Sequence, residues 1–356
     1  MDKELLDLYS DYLISSFGLT TATGLSTLLG GAVSHDKITR FLSAEDFTSA
    51  DLWGLVKPLV RPIQSEEAVL IIDDSIEEKL YTDESELICW HWDHSLGRNV
   101  KGVNFLSCLY HVGDIALPVA FQLIKKSEWT TDKKTGKKRR VCPKTKNDYF
   151  RDMIETCLKN QLPFRYALAD SWFGSAENMV FVKQTKGKDF IFPLKDNRKL
   201  ALSQEDKLAG RYVSISTVKI EENATITIWL EGVDFPLLLC KQVFTNKDGS
   251  QGTLYLVTSD TTLDAPQMQT IYQKRWKVEV YHKSLKSNAS FAKSPTKTIR
   301  TQSNHFFVCL WAYVKLERLR LKTKMNHFSM KAKIYQKALA SAFEQLQKLK
   351  ATGVPA

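Results

Sequence analysis

Four residues suited to phosphate chemistry lie close together in one segment of the sequence. Tyr272, Arg275, Glu279 and Lys286 occur at offsets 0, 3, 7 and 14 within Pro266–Lys286, a segment that predicts one helix. At about 100° per residue they fall at roughly 0°, −60°, −20° and −40° around the axis. One side of the helix would therefore carry a tyrosine, two cations and a carboxylate. Geometry alone favours the alternative, a solvated helix face of mixed charge.

Two distant aspartates are predicted to lie at the same edge of a sheet. The apolar run Ala68–Ile72 predicts a buried strand that ends at Asp73, and Tyr166–Ala169 predicts another that ends at Asp170. The last side chains of such strands meet at one rim of an open α/β sheet. Together with Glu279 they could hold two divalent metal ions about 3.5–4 Å apart, an arrangement that cleaves or transfers phosphodiesters.

With three acidic blocks in this order, the sequence resembles the DDE cut-and-paste transposases of bacterial insertion sequences. The resemblance is to the group with a Tyr-Arg-Glu-Lys signature, insertion sequence family four, which includes the transposon-five transposase. The signature Y-x2-R-x3-E-x6-K matches without a gap, with the family-like pairs Arg275-Trp276 and His282-Lys283. IIDDS, which ends at Ser75, and LADSWFGS, Leu168–Ser175, resemble the blocks of the two aspartates. The resemblance covers most of the chain, from about Ser34 to Trp311.

The resemblance implies a metal site made of three carboxylates. Asp73, Asp170 and Glu279 would be the catalytic residues and the ligands of two Mg²⁺ (or Mn²⁺) ions per active site. Asp74 is the alternative to Asp73. The D-x-[S/T] spacing to Ser75 favours Asp73, and alternation along a strand would turn Asp74 to the other face.

The resemblance also implies DNA contacts and a reaction. Tyr272, Arg275 and Lys286 would hold the transposon terminus. In relatives that form hairpins, an aromatic side chain from a β insertion traps a flipped base; here Leu254 lies at about that place, next to Tyr255. The implied steps are nicking at the end of the element, attack of the freed 3′-OH to form a hairpin, hairpin opening and strand transfer. The implied partners are double-stranded DNA, as terminal inverted repeats and target, and a second copy of the chain in a synaptic homodimer. The remaining candidate DNA contacts are Trp276, His282, Lys283, Tyr255, Lys137, Lys138, Arg139 and Arg140.

Two other functions remain open at this point. One is a catalytically silent DNA-binding regulator derived from a transposase, against which the intact acids argue. The other is a ribonuclease-H-like nuclease that cuts DNA without strand transfer. Residue types alone do not separate the second from a transposase.

The predicted elements position these residues on an α/β fold. Three strands, a helix, a strand, a helix and a strand follow the order of a ribonuclease-H-like core, a mixed five-stranded sheet with flanking helices. An all-β insertion would fill most of the 109 positions between Asp170 and Glu279. The predicted regions are an N-terminal helical DNA-binding region (1–62), the first part of the core (63–195), the β insertion (196–262), the second part of the core (263–302) and a basic C-terminal helical region (303–356).

The positive charge is concentrated in two stretches. The net charge is +10, yet Lys125–Lys146 and Trp311–Ala356 each carry ten basic and two acidic residues, so the remainder is slightly acidic. Two basic stretches on such a body indicate a polyanionic partner, with nucleic acid first. We expect Lys125–Lys146 to be an exposed loop. Each stretch alone would also be typical of a solvated face.

Cysteine spacing and hydropathy predict the compartment. The six cysteines are scattered without a C-x-x-C pair, which favours reduced, buried thiols over disulfides or a zinc site. The longest apolar run, Phe306–Val314, has nine residues against the ~20 of a membrane span. Met1–Asp11 is acidic and does not resemble a signal peptide. We expect a cytoplasmic bacterial protein that is nucleoid-associated when bound to DNA, with no membrane partner.

Overall fold

One large mixed sheet forms the centre of the molecule. The computed structural model describes residues 1–93, 96–131, 133, 136–246 and 248–351. Within these residues, one sheet has nine strands and two small sheets have two strands each. The strands are β1 (Val69–Glu78), β2 (Ile88–Asp93), β3 (Arg98–Val112), β4 (Ile115–Leu123), β5 (Glu128–Thr131), β6 (Lys138–Val141), β7 (Tyr166–Leu168), β8 (Asp189–Leu194), β9 (Lys199–Leu200), β10 (Val213–Ser214), β11 (Thr225–Ile228), β12 (Leu237–Thr245) and β13 (Gln251–Thr258).

The strand order explains how distant parts of the chain meet. The order across the large sheet is β11-β12-β13-β8-β7-β1-β3-β2, and β4 pairs with the second half of β3. The short strand β7 runs parallel to both β1 and β8, whereas β1 and β3 are antiparallel. The mixed α/β sheet with flanking helices agrees with the predicted fold class. The predicted five strands are β1, β3, β4, β7 and β8, and the sheet is larger because β2, β11, β12 and β13 join it.

Helices cover the sheet and extend from it. They are α1 (Lys3–Ser15), α2 (Ala22–Leu28), α3 (His35–Ser43), α4 (Ser49–Val60), α5 (Lys146–Lys159), α6 (Ala176–Val180), α7 (Gln204–Leu208), α8 (Ala265–Gln273), α9 (Trp276–Asn288), α10 (Ile299–Thr323) and α11 (His327–Ala351). Among the described residues, no helix is both long enough and apolar enough to span a bilayer.

Strand β1 is longer than its apolar run predicts. We expected it to end at Asp73, but it continues to Glu78 because every residue pairs with β3, with Asp73 opposite Ser107. Near the far end, Gly102 of β3 allows a close approach, since a Cβ there would lie 2.1 Å from the carbonyl oxygen of Glu77. Asp73 therefore belongs to a paired strand, which holds it more rigidly than a strand terminus would.

The basic segment 125–146 is not the loop that we expected. It contains the antiparallel hairpin of β5 and β6, in which Trp129 lies opposite Arg140. Helix α5 begins at Lys146, where Thr145 and Asp148 form a reciprocal capping box. The hairpin holds its basic side chains in a defined arrangement beside β2.

The predicted all-β insertion is only partly a β structure. Residues 196–262 include the helix α7. The alternation in Tyr212–Ile220 predicts a strand, but the structure has a two-residue strand there, followed by a 3₁₀ turn at Ile215–Thr217. The longer strands β11, β12 and β13 do not form a sheet of their own, because β13 pairs with β8. This part of the chain therefore extends the central sheet. The residues Asn246-Lys247-Asp248-Gly249 predict a turn, but Lys247 lies outside the described residues.

The two ends of the chain pack together. Helix α10 is buried along most of its length and contacts α1, α3 and β4. The amide of Asn304 in α10 donates to the carbonyl oxygens of Leu42 and Glu45 and accepts from the backbone N–H of Phe47. The N-terminal helices and α10 are thus joined by polar contacts inside a shared core. Five cysteines are buried and Cys142 is half-buried, and all six are free thiols.

Candidate active site

Asp73 and Asp170 stand side by side on neighbouring strands. Ile71 of β1 pairs in parallel with Leu168 of β7, and each aspartate lies two residues further along its own strand direction. Neighbouring strands lie about 4.8 Å apart, so this register brings the two side chains to adjacent positions. The carboxylate of Asp170 also accepts the backbone N–H of Trp172 at 2.9 Å, which fixes the turn after β7.

Glu279 lies on the second of two helices, which the sequence predicts as a single helix. The segment predicted as one helix, Pro266–Lys286, is two helices, α8 and α9, separated at Lys274 and Arg275. Tyr272 lies on α8, so it does not share one helix face with the other three residues. Arg275 directly precedes α9 and forms an ion pair with Glu279, four residues later.

Arg275 joins the acids from the two parts of the chain. Its Nη1 donates to Asp73 Oδ2 at 2.9 Å, and its Nη2 donates to Glu279 Oε1 at 3.1 Å. The side chains of Arg275 and Asp73 are 14% and 11% exposed, whereas that of Glu279 is 45% exposed. We call Asp73, Asp170 and Glu279 the carboxylate triad. The guanidinium lies between two of its members.

The electrostatics of the site show an excess of negative charge. Burial and, to a smaller extent, the nearby Asp170 raise the pKa of Asp73 to about 8, although Arg275 opposes the shift. Burial and the neighbouring Asp74 also raise the pKa of Asp170. One guanidinium is thus not enough to stabilise the buried carboxylates in their charged form. A site of this kind would gain from a further cation.

The donor set fits hard divalent cations, but the carboxylates are not yet arranged around one point. Mg²⁺ and Mn²⁺ prefer carboxylate oxygens and keep several waters. Across the part of the chain that the structure describes, no three His, Cys, Asp or Glu side chains are placed to hold an ion together. Within the triad, the guanidinium of Arg275 binds Asp73 and Glu279 directly.

Asp74 has a different partner from Asp73. Lys146, the first residue of α5, donates to Asp74 Oδ2 at 2.6 Å, and its ammonium lies 5.8 Å from the ring centre of Trp172. Both Lys146 and Trp172 belong to the site, and the sequence analysis assigned neither a role there. The only signal was that Lys146 ends the basic segment and that Trp172 follows Asp170 closely.

Two residues of the predicted signature contact backbone carbonyls in this structure. The hydroxyl of Tyr272 donates to the carbonyl oxygen of Ala169 at 3.3 Å, directly before Asp170. The ammonium of Lys286 donates to the carbonyl oxygen of Ile76 at 2.7 Å and lies 3.9 Å from Glu77. Both side chains therefore tie the two helices to the strands that carry the aspartates.

Three other predicted contacts around α9 point in different directions. Trp276 is 65% exposed beside Arg275. Lys283 instead faces α11, with its ammonium 5.3 Å from the ring centre of Phe328. His282 lies in the core rather than at the surface, edge-on to Phe105, and burial lowers its pKa to about 3. Of these three, only Trp276 is placed where DNA beside the triad could touch it.

The remaining predicted DNA contacts lie elsewhere on the sheet. Tyr255 is half-buried on β13, opposite Leu194 of β8 and Lys241 of β12. Among the basic residues, Lys137, Lys138 and Arg139 are exposed and Arg140 is half-buried. These four lie at and before β6, so they extend the basic surface beyond the triad.

Comparisons with known proteins agree on one kind of domain. A family model described as "DDE superfamily endonuclease" matches residues 2–211, more than half of the chain, and one described as "Transposase DDE domain" matches residues 142–315. The first range contains Asp73 and Asp170, and the second contains Asp170 and Glu279. A comparison with curated proteins finds no match.

Proposed function

The chain belongs to the DDE superfamily of endonucleases, and from its site we propose a cut-and-paste DNA transposase of the Tyr-Arg-Glu-Lys group. In this proposal it cuts DNA at the terminal inverted repeats of its own element and transfers the freed 3′ ends to target DNA. The match to a transposase domain supports a transposase over a nuclease that only cuts.

The observation that carries the proposal is the convergence of three acids that lie far apart in the sequence. Parallel register places Asp73 beside Asp170, and the bridge through Arg275 brings Glu279 to the same place. The raised pKa of Asp73 supports a site that lacks positive charge. A purely structural cluster would more often pair each buried acid with its own base.

Each side chain has a distinct role in the proposed reaction. Asp73, Asp170 and Glu279 would hold two Mg²⁺ or Mn²⁺ ions, which supply an activated oxygen nucleophile and stabilise charge on the phosphate. Arg275 holds the carboxylates of Asp73 and Glu279 together, and its guanidinium would bind a phosphate if cations held those carboxylates instead. Lys146, on Asp74, would add a second positive group beside the same phosphates.

A second copy of the chain is proposed for the synaptic complex. The outer part of α11 is solvent-exposed yet carries a stripe of apolar side chains at helical spacing, including Leu339 (53% exposed), Phe343 (61%) and Leu346 (47%). Such a stripe on a helix that projects from the core is typical of a helix–helix interface. Basic residues on the same helix would remain available to DNA.

Glu279→Gln tests the catalytic part of the proposal. The substrate is a labelled duplex that carries the inverted repeats found beside the gene, with a target duplex and Mn²⁺. We expect wild-type protein to cut and join the substrate, and Glu279→Gln to bind it without cutting. The matched control is Glu205→Gln, since Glu205 is an exposed acid in the first turn of α7; this variant should cut normally.

Three outcomes would contradict parts of the proposal. Binding without cutting by the wild type would indicate the catalytically silent regulator. Cutting without a joined product would indicate a nuclease without strand transfer. Retained cutting by Glu279→Gln would remove Glu279 from the metal site.

A further inference from the structure

A groove lined by tryptophans lies at the sheet edge formed by β2. It has a volume of about 990 Å³ and runs between β2 and the β5–β6 hairpin. That volume is at the upper end of the roughly 300–1,000 Å³ typical of ligand pockets. Three of its walls are indole rings, those of Trp90, Trp92 and Trp129, so we call it the tryptophan groove. None of these residues takes part in the candidate active site.

The indoles are held by regular strand geometry. Trp90 and Trp92 alternate with the buried Cys89 and His91 along β2, so both rings project from the same face. Each of the two is 52% exposed, and Trp129 on β5 is 57% exposed. Large apolar rings on a sheet edge are costly to leave in water, and they are typical of a binding surface.

The polar part of the groove is strongly basic. Lys126, Lys138, Arg139 and Arg140 line it together with one acid, Glu84, for a net charge of +3. The guanidinium of Arg140 stacks over Trp129 at 4.4 Å from the ring centre. Trp129 and Lys138 also line a neighbouring cavity of about 560 Å³, so basic and aromatic surface continues past the hairpin.

The ammonium of Lys126 is fixed beside the aromatic wall. It donates to the carbonyl oxygen of Trp90 at 2.6 Å. This hydrogen bond neutralises no charge, so the cation remains available to an anionic ligand. Arg140 has a carboxylate, Glu84, at 3.8 Å, a contact too long for a strong pair.

The chemistry of the groove selects one class of ligand. Interleaved indoles and cations match single-stranded nucleic acid, whose bases stack on aromatic faces while its phosphates follow a basic groove. Double-stranded DNA hides its base faces, so it would use the cations but not the rings. A metal ion is not favoured either. Cys89 and His91 are in contact at 3.3 Å, but the described residues contain no third ligand placed to complete a site with them.

The tryptophan groove is close enough to the carboxylate triad for one DNA strand to contact both. Trp90 is opposite Lys101 on β3, and Asp73 is opposite Ser107, six residues away on the same strand. At about 3.3 Å per residue the two positions are roughly 20 Å apart along the sheet, about six base pairs of duplex. A strand that leaves the active site could therefore reach the groove.

We propose that the tryptophan groove binds an unpaired segment of the DNA strand that passes through the active site. Its bases stack on Trp90, Trp92 and Trp129, and its phosphates contact the surrounding Lys and Arg side chains. The inference rests on the proposed function, because the DNA substrate comes from there. It adds a site that holds DNA whose two strands have separated near the cut.

The test compares single- and double-stranded DNA without divalent metal, so that cutting plays no part. The probes are a fluorescein-labelled 15-nucleotide oligo(dT) and a duplex of the same length, titrated at several salt concentrations. We expect the double variant Trp90→Ala, Trp92→Ala to bind oligo(dT) roughly 5- to 150-fold more weakly for each stacked base lost. Its affinity for the duplex should stay within about twofold of the wild type.

Two further variants separate stacking from general damage. Trp90→Phe, Trp92→Phe keeps aromatic faces and should restore most of the oligo(dT) affinity. Phe244→Ala removes an aromatic residue of similar exposure, 45%, from β12 near the opposite edge of the sheet, and should not change oligo(dT) binding. Quenching of tryptophan fluorescence by oligo(dT) in the wild type gives an independent measure of stacking.

The results that would refute nucleic-acid binding in the tryptophan groove differ from those that would refute the proposed transposase function. Equal loss of single- and double-stranded binding in the alanine variant, or no loss of either, would refute the inference. The inference would also be refuted if wild-type protein bound oligo(dT) no more tightly than the polar variant Trp90→Ser, Trp92→Ser. In each case, metal-dependent cutting of the duplex substrate by the wild type would leave the proposed function intact.

Discussion

Replacing Arg275 with glutamine removes the side chain that bridges two members of the carboxylate triad. The wild-type guanidinium makes charge-assisted hydrogen bonds to Asp73 at 2.9 Å and to Glu279 at 3.1 Å. Glutamine keeps a polar side chain, but it is two bonds shorter and brings no charge. Without metal, the buried carboxylate of Asp73 then loses its stabilising cation.

The expected cost follows from burial. Breaking a buried ion pair typically costs about 3–5 kcal/mol, but Glu279 is 45% exposed and its half of the bridge is screened by water. A loss of about 3 kcal/mol is therefore expected for Arg275→Gln without metal above pH 8, where the Asp73 carboxylate of the wild type is charged. Domains of 150–250 residues lose roughly 2–4 °C in Tm per kcal/mol, so the Tm should fall by several degrees.

Mn²⁺ should stabilise the Arg275→Gln variant more than it stabilises the wild type. In the wild type a divalent ion must displace the guanidinium from Asp73 and Glu279, whereas in Arg275→Gln the carboxylates are already free. Removing a competing interaction of about 3 kcal/mol would tighten apparent Mn²⁺ binding by up to about 100-fold. Mn²⁺ should therefore raise the Tm of the variant more than that of the wild type, although the variant should cut DNA poorly because its phosphate contact is lost.

The assay is thermal unfolding followed by circular dichroism, with EDTA and across a Mn²⁺ titration. The control is Arg211→Gln, which removes an arginine from a surface pair with Asp206 and should change neither the Tm nor the response to Mn²⁺. An Arg275→Gln protein that melts with the wild type in EDTA, or that gains no more from Mn²⁺, would refute the view that Arg275 competes with the cations.

Two further expectations follow from contacts away from the triad. Burial alone would raise the pKa of Asp260, but hydrogen bonds from Thr262 and Tyr166 lower it to about 2. Because the folded pKa lies below the unfolded value of about 3.9, the charged form stabilises the fold above pH 4 by about 2 kcal/mol, and this is lost as the pH falls towards 2. Urea unfolding should thus show Asp260→Asn less stable than the wild type at pH 7 with a gap that narrows below pH 4; a constant gap would contradict the assignment. Phe343→Asp places a charge in the apolar stripe of α11, so gel-shift assays should show fewer paired-end complexes at unchanged Tm, and unchanged pairing would exclude α11 as the contact between copies.

The sequence predicts the core strands well because their signals are local. The apolar residues of Asp189–Leu194 predict a strand, which is β8 with the same bounds, and the predicted strand Tyr166–Ala169 differs from β7 by one residue. Continuous apolar runs between turn residues identify buried strands without knowledge of their partners. The same signal misplaced the end of β1, since a strand stops where its pairing stops, and the pairing with β3 continues beyond the apolar run to Glu78.

The sequence does not predict the partners of individual side chains, because these depend on contacts between residues that lie far apart in the sequence. The resemblance predicts both His282 and Lys283 as DNA contacts, but the first is enclosed beside Phe105 and the second faces Phe328. The periodicity of α9 does not state which of its faces meets the sheet and which meets α11. That is decided by how the helices pack.

Residue types and spacing alone determined the chemistry that this chain offers: three acids, an Arg-Glu pair four residues apart, and basic stretches suited to DNA. Only the tertiary structure decided how they are used. In the structure, the predicted long helix is interrupted before α9. Arg275 forms an ion pair with Asp73, 202 positions away in the sequence, and Lys146 forms an ion pair with Asp74. The physical reason is the distance along the sequence over which each effect acts. Helical and strand periodicity is set by residues a few positions apart, whereas charge pairing and burial depend on residues that the order of the strands brings together in space.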